Sequence, residues 1–156
     1  MKRRAFVLAL ALWAALPSCK SRPPDETPDG AVRELVERLR RLDGNPKNAK
    51  AVFQLLSKKT RENLEARADR YSAASGKHIE PEMMIAPQSF IERFSAQSYV
   101  TETKDGYAIV RAHGVVDAEV SEIHCVYEDG GWRVDVELPP LSPVVVRPRE
   151  EPFNQR

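Results

Sequence analysis

The chain has 156 residues, with 24 Lys and Arg against 23 Asp and Glu, and two cysteines. The near-neutral balance argues against nucleic acid as the main partner, and two cysteines exclude a disulfide-stapled scaffold. The length suits one domain with a sizeable core.

Lys2, Arg3 and Arg4 make a cationic start, and residues 5–16 follow as an unbroken apolar run. That is the order of a secretory signal. As a helix the run would cover about 18 Å, against roughly 30 Å for a bilayer core, so it is short for a transmembrane anchor. Leu16-Pro17-Ser18-Cys19 then resembles the bacterial lipobox, with an apolar residue three before the cysteine and a small residue just before it. Pro17 is an unusual filler of that pattern. The resemblance implies a diacylglyceryl thioether on Cys19, cleavage before it and acylation of the new amino terminus. Leu16, Pro17 and Ser18 would be read by the processing machinery. The alternatives are an ordinary cleaved signal with a chance cysteine, or an uncleaved anchor. Two or more acyl chains hold a protein stably where one would not. Lys20, in place of the aspartate that resembles an inner-membrane retention signal, points to the periplasmic face of a Gram-negative outer membrane. With the leader set aside the balance is about −2.

The expected organisation is a signal over 1–18, a lipidated cysteine and linker over 19–28, a folded domain over 29–139 and a proline-rich flexible tail over 140–156. Pro23, Pro24 and Pro28 keep the linker extended, so the domain stays near the membrane. Residues 20–80 carry 14 basic and 10 acidic side chains, and residues 90–140 carry 4 and 10. The basic half could lie against anionic head groups, although solvated helix faces explain it more simply.

Thr27 with Pro28, or Asp29, caps a first helix. Val32, Leu35, Val36, Leu39 and Leu42 recur at helical spacing until Gly44, with Arg33, Arg38, Arg40 and Arg41 on the wet side. Asn45-Pro46 opens a second helix that buries Val52, Phe53, Leu55 and Leu56. Ser57 ends it and caps a third, mostly polar helix through Leu64, Ala68 and Tyr71 to Gly76. Residues 77–88 read as a loop with one helical turn near Glu82, and Phe90, Ile91 and Phe94 form a short apolar patch.

After Ala96 the period changes to that of strands. Residues 99–104 and 107–113 flank Asp105-Gly106, a hairpin signal, and residues 119–128 turn through Asp129-Gly130-Gly131. Trp132, Val134, Val136 and Leu138 alternate with Arg133, Asp135 and Glu137, so one face is dry and the charged residues fall on the wet one. Pro139, Pro140 and Pro143 then break order. Helices followed by a strand meander predict an α+β fold, a curved antiparallel sheet wrapped over N-terminal helices. A short helix ending in Leu55-Leu56-Ser57 and a meander closing on Gly131-Trp132-Arg133-Val134 resemble the ketosteroid-isomerase-like, or nuclear-transport-factor-two-like, cone fold over residues 31–138. The resemblance implies a pocket between sheet and helices.

Candidate chemistry is sparse. His124 and Cys125 are strand neighbours and point to opposite faces, so they cannot share a site, and Cys125 reads as a small core residue. His113 and His124, with Glu122 or Asp117, lack the fixed short spacing of a zinc site. Tyr71, Tyr107 and Tyr127 could reach into a pocket, but no carboxylate is placed with them, and His78 sits in a loop beside Glu80. No catalytic residue, cofactor or metal is expected. The reading is a membrane-anchored, non-catalytic binding or assembly domain, attached through acyl chains on Cys19. The alternative is a small isomerase, lyase or hydrolase working in the pocket.

Overall fold

A computed structural model of the chain describes residues 23–90 and 94–141. Leu16, Pro17, Ser18, Cys19, Ile91 and residues 142–156 lie outside the described residues. The described residues form an α+β fold of three α-helices and one four-stranded antiparallel sheet that does not close. Among them, no helix is long and apolar enough to cross a membrane.

Each helix starts at a polar cap followed by a residue suited to the first turn. In α1 (Pro28–Arg40) Thr27 Oγ1 accepts from Gly30 N at 3.1 Å, and Pro28 occupies the first turn, where its missing N–H costs nothing. Ala31, Val32, Leu35, Val36 and Leu39 form its buried stripe. Glu34–Arg38 and Glu37–Arg41 pair one turn apart on the wet side. Arg33 is more than a solvated charge, because its guanidinium lies 4.2 Å from the Tyr99 ring centre. The helix stops at Arg40, so Leu42 packs on the core from the following turn. Asn45 caps α2 (Pro46–Phe53), and Ser57 caps α3 (Lys58–Ser75). The helical turn expected near Glu82 is the 3-10 turn Pro81–Met84.

One part of the expected linker is folded. Pro24–Glu26 forms a 3-10 turn that lies back on the first turn of α1. Gly30 permits this approach, since a Cβ there would run into the Pro24 carbonyl oxygen. The turn delivers Asp25 to Arg133, whose Nη1 donates to Asp25 Oδ2 at 2.6 Å.

The strands are β1 (Ser98–Lys104), β2 (Tyr107–His113), β3 (Val120–Glu128) and β4 (Gly131–Asp135), paired in chain order. Asp105-Gly106 and Asp129-Gly130 turn β1 into β2 and β3 into β4, all four residues with positive φ, as a tight primed hairpin turn requires. Ala108, Val110 and Ala112 of β2, Cys125 of β3, and Trp132 and Val134 of β4 form the buried inner face. The alanines let α1 approach closely. The far edge of β4 is covered, because Ser57 N donates to Val134 O and Val134 N donates to Leu55 O, a short parallel bridge.

Candidate binding groove beside the third strand

β4 is shorter than the alternation of its sequence predicts: it ends at Asp135, and the β3–β4 ladder ends with it at the His124–Asp135 pair. The cause is a cluster on α3. Ser57 Oγ donates to Asp135 Oδ1 at 2.8 Å, Thr60 Oγ1 lies 3.2 Å from the same oxygen, and Lys59 Nζ is 3.3 Å from Oδ2. Val136 N donates to Thr60 Oγ1 at 2.9 Å, and Arg67 donates to Pro139 O. The chain after Asp135 therefore follows α3 and parts from β3, which still pairs with β2 back to Val120.

A groove of about 640 Å³ opens where the strands diverge. Val32, Leu35 and Val36 of α1 line it together with Phe90, Phe94 and Val136. Glu119, Glu122, Asp135 and Glu137 stand around it. Arg111 bonds Glu122 and is shared with Glu102, so the rim keeps an excess of negative charge. These two contacts, Glu122 first, raise the Arg111 pKa.

The groove also exposes backbone. Tyr127 N donates to Gly106 O and Glu119 O accepts from Gly114 N, so odd-numbered residues of β3 direct their backbone groups toward β2. Successive residues alternate, and the even-numbered ones therefore face β4. For Glu122 that side is the groove, where residues 120–123 have no ladder partner among the described residues.

The expected site residues are scattered by the register. His113 pairs with Val120 and His124 with Ile109. Four ladder steps, roughly 13 Å, thus separate the two histidines. Among the described residues no group of three potential metal ligands comes together. Asp117 lies in the loop between β2 and β3. His78 is exposed and meets Glu80 at 2.9 Å. Tyr71, Tyr107 and Tyr127 do not reach inward; they are 60%, 68% and 54% exposed. Cys125 is buried in the core as expected, and burial, followed by Asp135 and Asp29, pushes its thiol up to about 12. Arg133 and Asp135 correct the expected wet face: both are half-buried, Arg133 under the Asp25 turn and Asp135 on α3. Although His124 and Asp135 are paired in the ladder, the Asp135 carboxylate is engaged by α3, and among the described residues no side-chain hydrogen bond joins the two.

The diverging strand was hinted at only by Pro139-Pro140. Prolines cannot donate to a ladder, so a strand running beside β3 was bound to fail there. No protein-family model, curated protein or solved structure matches the chain.

Proposed function

We propose that this chain is a lipoprotein domain of the bacterial envelope that binds an extended segment of a partner protein in the groove beside β3, without catalysis. The acyl chains on Cys19 fasten it to the membrane, on the periplasmic face of the outer membrane. Its architecture is that of the cone fold, with the pocket between α1 and the sheet adapted to a strand. The observation that carries the reading is an edge of β3 that, among the described residues, has no ladder partner over residues 120–123, beside a groove lined by apolar residues of α1. An added strand gains affinity from main-chain hydrogen bonds to Glu122, and specificity from alternate side chains entering the groove. The acidic rim favours a segment that is apolar and basic.

Glu122→Pro tests the groove. It removes the N–H that faces the open edge and leaves the β2 ladder its donors. Binding of a labelled valine- and arginine-rich extended peptide, read by fluorescence anisotropy, should fall by about tenfold or more in the variant, the loss of one or two backbone hydrogen bonds. Equal affinity in a folded variant overturns the reading. The anchor is tested separately by detergent phase partitioning: Cys19→Ser should move the protein from the detergent to the aqueous phase, and unchanged partitioning removes the lipid.

A further inference from the structure

We infer that the loop joining β2 to β3 extends the groove, with Val115 and Val116 receiving apolar residues that follow the partner's strand-forming stretch. This rests on the groove being a strand-binding site and narrows the partner it takes. The first observation is exposure. Val115 and Val116 are 78% and 59% exposed, and Val120 at the start of β3 is exposed too. Single exposed apolar side chains are ordinary, whereas neighbouring ones at the end of a groove make a patch.

The second is rigidity. Gly114 N donates to Glu119 O and Glu119 N donates to Val116 O, both at 2.8 Å. Glu119 Oε2 accepts from Val115 N at 3.0 Å and from Val116 N at 3.4 Å. Gly114 leaves room for that carboxylate, since a Cβ there would collide with it. The loop is folded around one side chain, so the valines are in place before a partner arrives and docking on them costs little ordering.

The third is continuity. Ala118, Glu119 and Val120, which close this loop and open β3, also line the groove. A strand taking the place that β4 leaves would run antiparallel to β3, as β4 does, and exchange both bonds with Glu122. Such a strand passes Ile123 before Val120, and its carboxyl-terminal continuation leaves over Val115 and Val116. The partner's segment is apolar and basic where it pairs, and apolar just beyond.

The test compares two labelled peptides on the full chain by fluorescence anisotropy: a short valine- and arginine-rich strand, and the same strand with two leucines added at its carboxyl end. The longer one should bind about tenfold more tightly, the return from covering one or two exposed valines. Val115→Ser combined with Val116→Ser should bring that ratio of affinities close to one. Glu119→Ala, which frees both N–H groups, should do the same, whereas Glu119→Gln keeps an acceptor for them and should keep the ratio. A ratio near one in the native chain, or an undiminished ratio in the double serine variant, overturns the inference and leaves the groove standing if the short peptide binds. A gain from leucines at the amino end instead overturns the antiparallel arrangement. Binding of neither peptide removes the groove and this inference together.

Discussion

Asp25 holds Arg133 from 108 positions away, with 2.6 Å between carboxylate and guanidinium and side-chain exposures of 28% and 14%. The same Nη1 also donates to Trp132 O at 2.9 Å, so the contact ties the start of the domain to its last strand. Asp25→Ala should destabilise by roughly 1–3 kcal/mol in urea unfolding, because a charged, half-buried donor loses its partner. Combined with Arg133→Ala the loss should be less than additive. Gly30→Ala should mimic Asp25→Ala by forcing the 3-10 turn off the helix; additive, independent losses would mean that turn and ion pair are not one unit.

Trp132 closes the inner face beside Val134, and its ring meets Tyr127 edge-on at 5.5 Å. Trp132→Ala should cost about 3–5 kcal/mol. A melting temperature unchanged within error would place that ring outside the core.

Asp135 satisfies two hydroxyls, Ser57 and Thr60, that are buried. Asp135→Ala removes the acceptor they share, leaving Ser57 Oγ to donate to Thr60 Oγ1 and Thr60 Oγ1 to Val136 O, and should cost about 1 kcal/mol. Asp135→Asn keeps an acceptor and should cost less. The reverse order in chemical unfolding would mean that the carboxylate's charge is itself a burden there.

Cys125 makes stability fall at high pH. Its ordinary value is 9.0 and the fold pushes it to about 12, so the folded state keeps a proton that the unfolded state releases. This contribution is fully present below about pH 9 and is lost as pH rises toward 12, by up to about 1.4 kcal/mol per pH unit. Cys125→Ala should flatten the alkaline limb. An alkaline limb of the same slope in that variant assigns the loss to other groups.

Much of the fold was legible because its signals are local. Thr27, Asn45 and Ser57 are caps that act on the next three residues, and Asp105-Gly106 and Asp129-Gly130 fold within their own turns. The alternation of Trp132, Val134 and their neighbours correctly sorted the inner face from the outer. Alternation assigns a face but says nothing of an edge, and for that reason Arg133 and Asp135 were misjudged: Asp25 covers one, and the start of α3 draws in the other. The tyrosines failed for a related reason, since Tyr127 shares the face of Cys125 and yet stays 54% exposed near the end of its strand. The groove was illegible because it depends on where two strands part, which is set by contacts of Ser57 and Thr60 with Asp135 and Val136 more than 70 positions away.

The docked turn at Pro24–Glu26 also shortens the leash. Counted to α1, the span from a lipidated Cys19 would be nine residues, close to 30 Å of extended chain; counted to Pro24 it is five, about 17 Å. On the proposed anchor, a domain tied so shortly would ride on the lipid head groups, and a strand entering beside β3 would come from a protein that works at that same surface.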